Sequence, residues 1–545
     1  MIKKLFLSII ITLFASTLMA KPSPMTTALG SSKAKKGGTF YRSILSEPPR
    51  LNPITYSDLY ATYLFEYTMD SLMGRNLETR EWEPMLAESV ELIDGGNGVE
   101  VKLRKGAKWH DGKPVTVKDV KFSYDSIMDK RYDTASRRPY FENIDSAKII
   151  DDSTVRFKFK KKYFGNYNVI AGLTIVPQHV YGDPKKKLNK VMVGAGPYKM
   201  GKYKKRRSIT LDKNKDWWGF KDPRFKNAYN ADKILFRFVK EDNVRLEMLK
   251  KGKIDLLPRM SPEMYVKKAV GKLWGSKVHK KKAKNKQVKG YSFVGWNLKN
   301  DLFKNRDVRV ALAHLMNRDL MIKKFRFGMS LPATGPWYRQ SPYAPKDLKP
   351  LAFDPAQAKK LLKKAGWKDS NKDGVLDKVI NGKKKDFKFT LMFSRKDAEK
   401  YLTVYKEDLK KSGINMSLKL VEWNSFIKAL DDKKFEAVRL GWGGGSIDND
   451  PKQIWHTDSA KNQGSNFISY SNKKVDKLID EGRKELDYNK RVKLWNVIYK
   501  EIAKDAPYVF MFNDIYEFYG HTDKMGTDKV TYNYGVGDMY WWVKK

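Results

Sequence analysis

The sequence predicts an α/β or α+β protein built from about three domains, at ~150 residues per domain. Three observations carry that reading. Short alternating strands are interspersed with capped amphipathic helices, 545 residues exceed what a single core organises, and 41% hydrophobic with 13% aromatic residues marks a chain that folds. Collagen-like, coiled-coil and low-complexity classes fail on the same composition, and no internal repeat is present.

Taken in order, Lys3 and Lys4 precede an apolar run from Leu5 to Met19, and Ala20 supplies a small residue before polar Lys21-Pro22. This is the layout of a signal peptide over residues 1–20, and it predicts an exported protein. With no cysteine in the chain, a lipid anchor at cysteine is excluded. Residues 21–37, rich in Pro, Ser, Gly and Lys, read as a flexible leader. Val99, Val101 and Leu103 alternate as a half-buried strand, as do Val155, Phe157 and Phe159. Thr116 and Asp119 make a capping box for a helix through Val120 and Tyr124. Asp354-Pro355 places an N-cap and a first-turn Pro ahead of Ala358, Leu361, Leu362 and Ala365, with Gly366 closing that helix. Val475, Leu478 and Ile479 form another helical face, and Trp495, Ile498, Tyr499 and Ile502 a further one before Asp505-Ala506-Pro507. The basic run His279 to Lys289 reads as a solvated loop or sheet edge.

The catalytic signals are weak. Zero cysteine removes thiolate chemistry, disulfides and iron–sulfur ligation. The phosphate-loop spacing at Gly196 to Tyr203 puts Tyr203 where a Ser or Thr should bind magnesium, so a turn entering a strand is expected there. No Gly-x-Ser-x-Gly or His-Glu-x-x-His occurs, and His110, His314 and His456 read as packed or surface residues. Asp369, Asn371, Asp373, Gly374 and Asp377 follow the first half of a calcium loop, but Ile380 stands where the closing Glu belongs, so a polar hairpin turn is favoured. The formal net charge of +47 suits anionic partners. Its clusters, Lys160 to Lys162, Lys204 to Arg207 and Lys383 to Lys385, are dispersed without interleaved aromatics, which argues against nucleic acid. A generally basic surface near anionic envelope polymers is the simpler account. No cofactor is called for.

Several segments together resemble one family, the solute-binding proteins of peptide-type ABC importers, also called solute-binding family 5. They are Pro84-Met85-Leu86-Ala87-Glu88-Ser89, then Leu103-Arg104-Lys105-Gly106-Ala107-Lys108-Trp109-His110-Asp111-Gly112-Lys113-Pro114-Val115-Thr116, and Gly194-Ala195-Gly196-Pro197-Tyr198. Asp307-Val308-Arg309-Val310-Ala311-Leu312 with Asn317-Arg318, Gly441-Trp442, Val475-Asp476-Lys477-Leu478-Ile479 and Ala506-Pro507 follow in family order. The resemblance implies a two-lobed periplasmic binding protein fold of α/β type, with three structural domains and a hinge. Domain I would take residues 38–66, 194–290 and 506–545, domain II residues 67–193, and domain III residues 291–505. It further implies a monomeric periplasmic receptor, not an enzyme, that closes on di- or oligopeptides and hands them to an inner-membrane permease and ATPase complex.

Site residues carry over at a few positions. Trp442 and Trp423 resemble ligand-side tryptophans of the family, and Arg439 matches a basic position near the ligand carboxylate. Peptide receptors of the family carry an Asp three residues after the Trp, where this chain has Gly445. Asp448, further along a longer glycine loop, is the candidate to take its place as partner of the ligand ammonium. Two alternatives stay open at this point: the same fold holding an oligosaccharide, an opine-like conjugate or a metal chelate, and, with less support, a secreted hydrolase.

Overall fold

A computed structural model describes residues 28–56, 59–134, 137–444, 448–460 and 465–544. The expected signal peptide lies outside the described residues, as does Gly445. Residues 28–37, expected to be a flexible leader, instead pack down. Gly37 donates to the Asn230 carbonyl at 2.9 Å, and Lys36 Nζ donates to the carbonyls of Lys226 and Ala228 at 2.9 and 3.0 Å.

Four sheets of three or more strands organise the described residues. A four-stranded sheet sets Thr39–Ile44 parallel to Lys233–Phe238, followed by Ser208–Lys213 and Tyr198–Lys204. An antiparallel sheet of Ala87–Ile93, Gly98–Leu103, Thr154–Phe159 and Ile144–Ile149 contains both strands read from alternation. Val99, Val101, Val155 and Phe157 face its core because side chains two apart share a face. The third sheet orders Leu256–Leu257, Glu517–Thr522 and Val278–Ala283, so the basic run begins as an edge strand. The fourth has six strands in the order Ser330–Pro332, Tyr508–Asp514, Tyr291–Trp296, Ala437–Trp442, Lys388–Phe393 and Asn415–Leu420.

The last two sheets locate the chain crossings. Val278–Ala283 lies in the three-stranded sheet and Tyr291–Trp296 in the six-stranded one, and the C-terminal pair Tyr508–Asp514 and Glu517–Thr522 divides the same way. The expected boundary at 506 therefore falls too early. Tyr508–Asp514 pairs with Tyr291–Trp296, and the chain leaves the six-stranded sheet only at residues 515–516. Lys289 and Glu517, 3.4 Å apart, tie the two crossings together.

Helices form where their caps were legible. Thr116 and Asp119 complete the capping box of Val117–Met128, and Asp354 accepts from the Gln357 amide at the head of Pro355–Lys364. Gly366 holds φ +87°, which a side chain rarely adopts. Gly196 enters the strand Tyr198–Lys204 through a close approach, since a Cβ there would sit 2.7 Å from the carbonyl carbon of Thr68. The phosphate-loop spacing is thus a turn into a strand.

One buried network links the lobe made by the first two sheets. Asp70 Oδ2 accepts from Trp217 Nε1 at 2.9 Å and Trp218 Nε1 at 2.8 Å. Burial raises its pKa from 3.8 to about 7, against the indole donors and Arg104. A raised carboxyl contributes stability below its unfolded value that is lost as pH climbs through the folded one. Relative to Asp70→Asn, the wild type should lose stability between pH 3.8 and about 7. Paired urea titrations check this, and parallel curves across that window would show that Asp70 does not titrate as buried.

Candidate functional site

The helix Leu59–Thr68 builds one wall of an interlobe crevice. Ala61, Leu64 and Phe65 bury one side of it, while Tyr60, Tyr63 and Glu66, at spacings of three, share the other. The Tyr60 and Tyr63 rings lie 6.5 Å apart, and Arg259 donates to the Tyr63 hydroxyl at 3.0 Å. Glu66 is open to water yet walled in by protein. Burial, aided by Asp538 and opposed by Arg42 and Arg259, raises it to about 7. Behind it Arg42 pairs with Asp538 at 2.6 Å and donates to the Tyr67 hydroxyl at 2.6 Å.

The facing wall belongs to the six-stranded sheet and its helices. Arg395 holds Asp397 in two parallel hydrogen bonds of 3.1 Å. That pairing, with Asp242 and Tyr60 opposite, keeps Arg395 above its ordinary value despite burial. Arg326 pairs with Asp514, and Lys400 reaches across to Glu263 at 2.6 Å.

Arg439 sits among these groups on the strand Ala437–Trp442. Its Nε is buried without a hydrogen-bond partner, and among the described residues no carboxylate lies within ion-pair distance. Burial lowers its pKa, with Arg395 and Arg326 adding to the effect and Asp397 opposing it. An under-satisfied guanidinium flanked by two others keeps donors suited to an anion.

The remaining expected residues lie elsewhere. Trp442, three positions along the strand, faces the opposite side of the sheet, since i and i+3 diverge on extended backbone. It stacks on Phe293 at 6.2 Å and lies 5.9 Å from Phe467, at the edge of an aromatic core that includes Tyr508. Trp423 is 50% exposed and stacks on Phe426 at 6.0 Å. The structure does not bring either tryptophan onto the Arg439 face.

Asp448 belongs to a clasp at the crevice rim. It accepts from Arg491 Nη2 at 3.4 Å, the Tyr343 hydroxyl at 3.4 Å and Asn168 Nδ2 at 3.2 Å. The carboxylate expected to meet a ligand ammonium thus already has a guanidinium beside it. Asp450 accepts from the Tyr163 hydroxyl at 2.8 Å and Arg483 Nε at 2.9 Å, and the Phe164 amide donates to the Arg483 carbonyl at 3.0 Å. Arg483 and Arg491 stack on Tyr163 and Phe164 at 4.5 and 4.2 Å. Residues 163–168 are thereby fastened to the opposite lobe.

The calcium-like segment is a hairpin turn. Asp369 accepts from the amides of Asp373 and Gly374, Asp373 from that of Val375, and Asp377 from Ser370. Asn371 donates to Asp373 at 3.2 Å, so these oxygens serve the turn. Among the described residues no three His, Cys, Asp or Glu side chains converge as metal ligands.

Sequence reasoning missed Arg395, Asp397, Arg259, Glu66 and the clasp partners Tyr163, Asn168, Arg483 and Arg491.

A crevice between two lobes, polar walls and a paired hinge invite comparison with known receptors. The model for bacterial extracellular solute-binding proteins, family 5, matches residues 81–464. The chain belongs to that family. It is 30% identical over 521 residues to the oligopeptide-binding protein AppA of Bacillus subtilis, covering 92% of this chain and 91% of that protein. It is 24% identical over 474 residues to the dipeptide-binding protein of Escherichia coli, with 80% and 82% covered. The solved structure of Bacillus subtilis AppA in complex with a nonapeptide superposes with a TM-score of 0.79 at 28% identity, over 94% of this chain and 100% of that one. These relatives are solute-binding proteins, and the solved one shares the fold of this chain. Among the described residues no helix is long and apolar enough to cross a membrane.

The clasp yields a direct test. Asp450→Ala strands Arg483 and Tyr163, and hydrogen bonds to charged groups are worth about 1.5–3 kcal/mol each. Ligand-free scattering should show a larger radius of gyration than wild type. An unchanged radius would mean that the clasp does not hold the lobes together.

Proposed function

We propose that this protein is an exported, monomeric receptor that captures peptides in the interlobe crevice and delivers them to an ABC permease and its ATPase. The relatives named above supply the ligand class, and the unpaired Arg439 is the single feature of this chain that carries the reading. A carboxylate brought into an enclosed crevice needs a charged donor in place of water, and a guanidinium supplies two parallel hydrogen bonds. The other guanidiniums of that wall already have acidic partners, so Arg439 is the group left to neutralise a peptide C-terminus. Tyr60 and Tyr63 opposite offer polar tips and flat rings, which suit an extended backbone with varied, partly hydrated side chains.

The amino end is less constrained. Asp448 is the candidate partner, and an ammonium there would share it with Arg491. That arrangement favours a second reading, in which the ligand carries an anionic end and no free amine.

Arg439→Ala should weaken peptide binding by about 2–5 kcal/mol, roughly 300-fold at the centre of that range. Calorimetric titration with a peptide and its C-amidated form separates the roles. Wild type should discriminate between them and Arg439→Ala should not. A variant that still discriminates would move the carboxylate site elsewhere.

A further inference from the structure

A loop of the first lobe carries its own chemistry; it starts beside the Glu263–Lys400 pair, with Lys267 over the Phe327 ring at 5.6 Å, and runs on from there. From Met264 to Lys286 the chain has nine lysines and no acidic residue. Within it, Val270 and Leu273 are 52% and 42% exposed, and Lys267, Lys268, Lys272 and Lys277 are exposed around them. None of these four lysines forms an ion pair among the described residues. Lys268 donates to Asn243 at 3.0 Å, which brings the first turn of Asp242–Lys250 alongside; in that turn Val244 is 49% exposed and the Asp242 carboxylate is paired with Arg245 at 3.0 Å.

The loop is preformed. Gly271 and Gly275 take φ of +103° and +95°, Trp274 N donates to the Gly271 carbonyl at 3.0 Å and Gly275 N to that of Val278 at 2.8 Å. Trp274 packs inward on the Leu249 and Met260 core, which leaves Val270 and Leu273 as the outward apolar tip. Exposed aliphatics cost free energy in water, and a ring of unpaired lysines repels other cations. Both features become favourable together at one kind of surface. Acyl chains take up the aliphatic tip while anionic headgroups neutralise the lysine ring.

We infer that the 267–277 loop, with Val244 beside it, docks this protein on anionic phospholipid. The loop would keep the receptor near the membrane between encounters with its permease, and it would give part of the +47 charge a local purpose. Proteins and second copies of the chain are the competing occupants.

The test is co-sedimentation of the full chain with vesicles of equal parts phosphatidylglycerol and phosphatidylcholine, against pure phosphatidylcholine. Wild type should pellet with the anionic vesicles alone. Val270→Ser/Leu273→Ser and Lys268→Gln/Lys272→Gln should each weaken binding by about tenfold, the equivalent of ~1.4 kcal/mol. Lys383→Gln/Lys384→Gln/Lys385→Gln, which removes three charges from a distant hairpin, should change it less than twofold, on the order of ~0.4 kcal/mol. Circular dichroism and an unchanged sedimentation coefficient establish that the variants fold as monomers. Equal losses in the loop and hairpin variants would overturn the proposal in favour of diffuse attraction. So would unimpaired binding by Val270→Ser/Leu273→Ser, or retention by native inner-membrane vesicles but not by lipid.

Discussion

Charge compensation inside the crevice is the constraint on which the rest of the structure depends. Two lobes can close only if the ionised groups on their facing walls have partners, because water is progressively excluded as they approach. Here Arg42 is met by Asp538, Arg395 by Asp397 and Arg326 by Asp514, each within its own wall or at the hinge. Lys400 and Glu263 pair across the gap. Arg439 stands apart because its Nε has no acceptor. In the function proposed above, a ligand carboxylate would complete the set, and closure without one would leave a cation incompletely satisfied.

The topology supports that role. Both chain crossings join strands of one sheet to strands of another, and the Lys289–Glu517 pair sits where they run side by side. Neighbouring crossings concentrate the change of backbone angle in a few residues, as hinge closure requires. The rim clasp of Asp448 and Asp450 holds residues 163–168 against Arg483 and Arg491 on the other lobe.

Local signals in the sequence made much of the fold legible. The capping box at Thr116, the Asp354-Pro355 start and the alternation of Val99 and Val155 all depend on neighbours within a few residues, and all appear as read. The boundary at 506 did not, because Tyr508–Asp514 is assigned by pairing with a strand more than 200 residues away. The site shows the same division. Arg439 could be singled out by its resemblance to a family position. Its isolation from Trp442 follows from strand pleating, and the commitment of Asp448 to Arg491 follows from a helix far along the chain. Neither Arg259 nor Glu66 announces itself, since each gains meaning only from what the fold sets opposite it.

The solute held in the crevice when the protein leaves its cell of origin separates the ligand classes. Native mass spectrometry of protein purified without denaturation reads that directly, with tandem fragmentation of whatever is released. A family of peptides with free C-termini and varied sequences is the predicted result. An oligosaccharide, a metal chelate or peptides uniformly blocked at the carboxyl end would contradict it.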